Sequence, residues 1–331
     1  MKIGKVSQTV LKRSMLKTLQ LKRKEAIFQP SVEEMCYGIT CESDEQIIST
    51  DTVLYGNEKN IGVFALAQTL NHLATRNAKP VGVSVHIILP PYAYESRLKA
   101  MIECIEKMGS EHNVQVLCAK AEVSPAVSMA MVQMTGLGVC KKRSLVQSSM
   151  AKPNQDIVLL HFIGLEGTLR VMQEKQVELE QRFVHTFLSQ LRQMEQHLFA
   201  VKELQVASEL GVSAMHQITD GGILAALWQM AESANVGLEV ELKKMTIRQE
   251  TVEICEYFHL NPYQLTSAGS VLIVAEKGEA LVEKYREMGV QAVLLGKTTD
   301  SKERVILGGE EKRFLDRPAA DELLKIYENE I

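Results

Sequence analysis

Apolar and polar positions along this chain fall into short blocks that predict alternating strands and helices. Residues 46–51 (Gln-Ile-Ile-Ser-Thr-Asp) read as a strand ending in a polar tip. Between 60 and 75, Ile61, Phe64, Ala65, Leu70 and Leu73 have the spacing of an amphipathic helix. Residues 81–89 form a strand that Pro90-Pro91 stops. A helix over 95–109 closes at Gly109, and 114–118 and 129–140 read as strands. Residues 144–155 are polar and carry no period, which places a domain boundary there: one domain over 1–150 and a second over 151–331.

The second half repeats the style. Residues 157–163 predict a buried strand, followed by Gly164-Leu165-Glu166-Gly167-Thr168 and a helical region to about Gly211. A helix follows Gly222 and runs to about Asn235. Thr246 with Gln249 has capping-box spacing, so a helix is expected to start there. Strands over 270–275 and 291–295 flank a helix ending at Gly289. Mixed elements in both halves predict an α/β or α+β fold, and no short internal repeat is visible.

Composition narrows the classes. With 331 residues there is room for two cores. Hydrophobic content of 46% and charged content of 24% suit a soluble globular protein. A net charge of −4 argues against a nucleic-acid or membrane-surface binder. No run is long enough to span a bilayer, and the Lys-studded start lacks an apolar signal core, so the expected location is cytoplasmic. The six cysteines form no Cys-x-x-Cys pair and read as reduced thiols. Residues 1–25 hold eight Lys/Arg against Glu25 alone; they read as a solvated helix from about Ser7, with a phosphate-reaching arm as the alternative.

The chemistry concentrates at 213–228. A polar turn, His216 to Asp220, leads into Gly221-Gly222 and an apolar helix. Paired glycines permit close backbone approach, and a helix N-terminus offers free N–H groups to phosphate. The stretch resembles the His-Asp-Ile-Thr-(Asp/Glu)-Gly-Gly signature of the ATP-binding superfamily that includes aminoimidazole ribonucleotide (AIR) synthetase. Ser49-Thr50-Asp51, the helix from Asn60 to Ala78, Gly164–Thr168 and Met215–Gly222 fall in the family's order. Its hydrogenase-maturation, HypE-like branch is the most similar.

The resemblance implies two domains. The amino-terminal ones pair into a β-barrel homodimer and hold nucleotide and metal. The carboxyl-terminal α/β sandwich supplies the glycine turn. It also implies ATP and magnesium, with an oxygen phosphorylated and then displaced or eliminated. On this chain the nucleotide-binding positions become Asp51, Asn71, Lys120, Thr219, Gly221 and Gly222, the metal ligands Asp51 and Glu122, and the catalytic candidates Asp51, His216 and Asp220.

Several positions depart from the pattern. Gln217 stands for the signature's Asp, Asn71-His72 for Asn-Asp, and Cys118-Ala119-Lys120-Ala121 for a glycine-led acidic strand end. Residues 1–155 contain only Asp44 and Asp51. Magnesium wants oxygen ligands, and each change near a metal site costs roughly 10–100-fold in affinity. The carbamoyl-accepting cysteine of the maturation enzymes is absent, since the last cysteine is Cys255.

The expected function is therefore a binding, regulatory or assembly protein with an eroded ATP site. One alternative is an ATP-dependent phosphotransferase or dehydratase acting on a small amide, carboxylate or carbamoyl-type substrate. There Lys120 and His72 would neutralise phosphates while Asp51, Glu122 and Asp220 hold an ion. Another is metal-free binding of a small phosphate at Gly221-Gly222. Asp51 and Glu122 read equally as turn or surface carboxylates, His216 as a turn-orienting residue, and Cys41, His72 and Cys118 as core fillers or a zinc set. Gly296-Lys297-Thr298 lacks the earlier glycine of a Walker A loop, because Gln291 occupies that position.

Overall fold

A computed structural model describes residues 8–14, 16, 25–27, 31, 33–34, 36–309 and 311–328. They group into two units. One contains 25–27 and 36–145; the other contains 146–328 together with 8–14, 16, 31 and 33–34.

The first unit is a five-stranded sheet with two helices. In chain order it runs β1 (Cys36–Thr40), β2 (Glu45–Gly56), α2 (Ile61–Ala74), β3 (Lys79–Leu89), α3 (Glu95–Glu111), β4 (Gln115–Val123) and β5 (Ala130–Lys141), with α1 (Gln8–Ser14) assigned to the other unit. The strand order is β1-β2-β5-β3-β4. Among the described residues of this unit, only β3 and β4 pair in parallel. β2 and β5 pair residue for residue from Glu45↔Lys141 to Gly56↔Ala130. Asp51 is thus in mid-strand, not at the polar tip that the local sequence suggested. The backbone stays extended because β5 offers a partner along the whole length. β4 likewise continues past Cys118 to Val123 against β3.

Alternation along β2 sends Ile48, Thr50, Thr52 and Leu54 to the buried face. There α2 packs, with the Thr69 hydroxyl 3.0 Å from Thr52 Oγ1. The helix is buried almost all round, Val63 excepted, rather than amphipathic. Close approach is what permits this: a Cβ on Gly136 would stand 2.3 Å from Thr69 Cγ2 and 3.1 Å from Leu73 Cδ1. The opposite face of the sheet is open, and Tyr37, Ile39, Ile47 and Val53 are exposed on it.

The second unit contains β6 (Asp156–Leu160), α4 (Leu165–Glu174), α5 (Gln176–Arg182), α6 (His185–Gln193), α7 (Val201–Glu209), β7 (Ala214–Gln217), α8 (Gly222–Ala234), β8 (Gly237–Glu241), α9 (Gln249–Tyr257), β9 (Val271–Ala275), α10 (Gly278–Glu287), β10 (Ala292–Thr299), β11 (Arg304–Gly308), β12 (Glu311–Phe314) and α11 (Leu324–Glu328). Its seven-stranded sheet has the order β12-β11-β8-β10-β6-β9-β7. Central β6 and β9 are apolar in succession because they are covered on both faces. Ile223, Leu227 and Met230 of α8 pack into the core with Ile157, Leu159, Leu272 and Val274.

Three local expectations change. The long helical stretch resolves into α4–α7. The predicted capping box does not form: α9 starts at Gln249 without a side-chain cap, and the Thr246 hydroxyl donates to the His161 carbonyl at 2.8 Å instead. The basic start is not simply solvated, since Lys12 of α1 meets Glu33 at 2.5 Å and Glu232 at 3.4 Å. Among the described residues no helix is long and apolar enough to cross a membrane.

The seat of α2 gives a direct test. Gly136→Ala is expected to lower stability by about 1–3 kcal/mol through overpacking, seen as a reduced urea midpoint. An unchanged midpoint would mean that α2 does not ride this close to β5.

Candidate functional site

The sequence-predicted residues fall into two places, one in each unit. In the first, register aligns side chains across the open face. Asp51 pairs with Thr135, Thr135 with Ser84, and Ser84 with Cys118. The next row on that face is Val53, Gln133, His86 and Lys120. A groove of about 220 Å³ is lined by Ser84, His86, Cys118, Lys120, Gln133 and Thr135. Pockets enclosing drug-sized ligands run to roughly 300–1,000 Å³, so this space is small.

Asp51 is held by its own sheet. The Thr135 hydroxyl donates to Oδ1 at 2.5 Å, and the Tyr37 phenol donates to Oδ2 at 2.6 Å. Partial burial and this bond raise the Tyr37 pKa above the usual phenol value, so it stays protonated and donating. Glu122 lies on β4, with β5 and β3 between it and β2. At about 4.8 Å per strand, Asp51 and Glu122 are some 14 Å apart across the sheet before any offset along it. Glu122 instead faces His86 at 4.0 Å. The structure does not bring the two proposed metal carboxylates together.

Asn71 and His72 belong to α2, which packs on the other face, and both are buried. They do not join Lys120. Nor do Cys41, His72 and Cys118 gather: Cys41 is exposed just after β1, His72 is on the helix, and Cys118 is on the open face. Among the described residues no three His, Cys, Asp or Glu side chains stand as a metal-binding group.

The second place is the glycine turn between β7 and α8. Gly221 and Gly222 adopt φ of +82° and +65°, conformations that favour glycine. The close approach they permit is to the chain itself. A Cβ on Gly222 would stand 2.5 Å from the Tyr263 carbonyl oxygen and 2.8 Å from Leu265 N. The Gly221 N–H donates to Asp321 Oδ2 at 2.8 Å. An internal carboxylate therefore takes a donor at the helix N-terminus, where the partial positive charge favours an anion.

Thr219 accepts the Gly222 N–H on its carbonyl at 2.9 Å. Asp220 lies beside Asp321, whose carboxyl is pushed up to about 7, first by burial and then by the Asp220 charge. His216 is buried with both ring nitrogens engaged: Nδ1 is 3.0 Å from Ser148 Oγ and Nε2 is 3.1 Å from Gln229 Oε1. This matches an orienting role better than proton transfer, which needs a free ring nitrogen in reach of a substrate.

Sequence reasoning missed several participants. Tyr37, Ser84, His86, Gln133 and Thr135 reach the open face through strand register. Period-two alternation shows that Ser84 and His86 share a face, but not that Asp51 shares it too. Asp321 carried no signal, since about 100 residues separate it from the turn it enters. Glu166 was visible only as part of a family landmark. It is fully buried, accepting from the Thr266 hydroxyl at 2.8 Å and standing 3.4 Å from Arg170 Nη1.

Comparison with known proteins agrees with this architecture. The family model described as the AIR synthase related protein N-terminal domain matches residues 34–140, and that for the C-terminal domain matches 152–308. The Methanocaldococcus jannaschii hydrogenase expression/formation protein MJ0676, itself named provisionally, is 24% identical over 98% of this chain and 97% of its own length. Carbamoyl dehydratase HypE of Rhodobacter capsulatus is 22% identical, covering 81% of this chain and 79% of its own. Among solved structures, E. coli HypE, a hydrogenase maturation protein, superposes with a TM-score of 0.72 at 19% identity, over 85% of this chain and 88% of that one. AaThiL complexed with AMPPCP and TMP gives 0.69 at 13% identity, over 86% and 91%. At these identities the structural likeness establishes the fold. With both domain models matched in order across most of its length, the chain belongs to the AIR synthase-related proteins.

Proposed function

We propose that this protein is a binding or assembly member of the HypE-like AIR synthase-related proteins whose magnesium-ATP site is eroded. The observation that carries the reading is the state of Asp51. Both of its oxygens are committed to Tyr37 and Thr135, and its row across the open face continues with Ser84 and Cys118 rather than with acids. Lys120 occupies the adjacent row. Magnesium takes oxygen ligands in near-ideal octahedral geometry, and the residues present do not fit that demand. The glycine turn supports the same reading, because its backbone is packed on Tyr263–Leu265 and its first N–H is taken by Asp321.

A partner-binding role is in keeping with the relatives, since one similar solved structure is a HypE–HypF complex. In this reading two copies pair through the open sheet face, where Ile39, Ile47 and Val53 are exposed. Covering such side chains contributes roughly 25 cal/mol per Å² of apolar area.

The second reading is an ATP-dependent phosphotransferase or dehydratase acting on a small amide, carboxylate or carbamoyl-type substrate. What favours it is similarity over much of the chain to proteins named carbamoyl dehydratase.

Titration calorimetry separates the two. Magnesium with a non-hydrolysable ATP analogue is expected to show no saturable binding tighter than about 1 mM, or roughly −4 kcal/mol. Tighter binding that Asp51→Ala abolishes would replace the first reading with the second. The glycines provide an independent check. Gly222→Ala is expected to lose about 2–4 kcal/mol of folding stability without any ligand, from left-handed backbone strain plus overlap with Tyr263. An unfolding free energy from urea titration within about 0.5 kcal/mol of the parent would show that the turn is not packed against its own chain.

A further inference from the structure

In the first unit β5, β3 and β4 lie side by side, and register sets their outward side chains in a grid of two rows. One row is Thr135, Ser84 and Cys118; the next is Gln133, His86 and Lys120. Strands stand about 4.8 Å apart and alternate residues about 6.7 Å apart, so the grid spans roughly 10 Å by 7 Å. Its side chains line the groove of about 220 Å³. Among the described residues, the side chains of Ser84, Cys118, Lys120 and Gln133 make no hydrogen bond or ion pair. Thr135 is already committed to Asp51, and His86 sets Nε2 toward Glu122 at 4.0 Å.

We propose that this groove binds a small free oxyanion of the phosphate or sulfate class without a metal ion, with Lys120 supplying the charge and Gln133 and Ser84 the neutral donors. The site rests on the reading that magnesium-ATP is not held on this face. Three strands contribute one donor each: Lys120 from β4, Ser84 from β3 and Gln133 from β5. The ammonium and the amide each have several N–H bonds to give, and the hydroxyl has one O–H. Hydrogen bonds from a cation to an anionic oxygen are about twice as strong as neutral ones, so Lys120 dominates the affinity.

Charge and size select the ligand. Among the described residues no carboxylate lines the groove, so a cation finds no countercharge there. Asp51 stands on β2, beyond Thr135, with its oxygens taking the Thr135 and Tyr37 hydroxyls. Three strand spacings, about 14 Å, separate its strand from that of Lys120, more than the screening length of about 8 Å at physiological ionic strength. Glu122 projects one row further along β4, beside His86. Its charge repels an anion toward the other row, where Ser84 and Cys118 stand. A nucleotide is too large for the groove, since pockets for drug-sized ligands run to roughly 300–1,000 Å³. Nor does any Phe, Tyr or Trp among the described residues line it to stack a base.

Cys118 is a reporter inside the groove, and Cys41, exposed outside it, is a control in the same chain. The full chain is alkylated with iodoacetamide in EDTA near neutral pH and at constant ionic strength, while inorganic phosphate or sulfate replaces chloride. Peptide mass spectrometry reads the rate at each cysteine. Cys118 is expected to slow saturably with a midpoint of about 1 mM, while Cys41 keeps its rate. Lys120→Ala should raise the midpoint about tenfold, the worth of one charged hydrogen bond, and Gln133→Ala about threefold. Buried Cys36, Cys140 and Cys255 stay unreactive wherever a variant is folded. Equal slowing at Cys118 and Cys41 overturns the site, as does no slowing by about 20 mM anion. A parent-like midpoint in folded Lys120→Ala overturns it too. ATP in EDTA that protects Cys118 at an about tenfold lower concentration than phosphate overturns the assignment to a free oxyanion. Because EDTA removes metal, a magnesium–nucleotide complex found by calorimetry would refute the eroded-site reading and leave this result standing.

Discussion

The pairing of β2 with β5 over twelve successive residues is the constraint on which the first unit depends. Because side chains alternate with a period of two, this one register decides both faces. It sends Thr50, Thr52 and Leu54 toward α2, and it sets Asp51 opposite Thr135. A slip of one residue would bury Asp51 against an apolar helix and expose Ile48 and Leu54. The close seat of α2 on Gly136 and the open polar rows follow from that single alignment.

The same alignment limits the chemistry. Across the two rows of the open face that start at Asp51 and Val53 lie the Asp51 carboxylate held by two hydroxyls, a thiol, an imidazole, an amide and an ammonium group, with Glu122 one row further along β4. These groups hydrogen-bond well but do not make a cage of hard oxygen ligands. The strand order adds a geometric limit, since β5 and β3 keep Glu122 away from Asp51. A scaffold that matches its relatives in fold thus presents hydroxyl, thiol, imidazole, amide and ammonium groups around Asp51 on this open face.

In the second unit the deciding feature is self-contact at the glycine turn. Left-handed glycines there serve folding, because Tyr263, Gln264 and Leu265 fill the space that side chains would need. The helix N-terminus finds a hydrogen-bond acceptor within the chain, in the Asp321 carboxylate.

Much of the fold was legible in sequence because it is written in local periods: the alternation in β3, the apolar run of β6, and the Gly221-Gly222 break before α8. The scarcity of aspartate in the first half, and the positive-φ demand at the two glycines, also belong to the sequence alone. The rest depended on long-range placement. No local pattern states that Asp51 meets Thr135 and Tyr37, that Thr246 bonds His161 instead of capping a helix, or that Asp321 reaches Gly221. Strand register and chain return bring those groups together, and both are set by burial of apolar faces far from the residues concerned. Residue identities state which chemical groups this protein owns; long-range packing selects which of them meet.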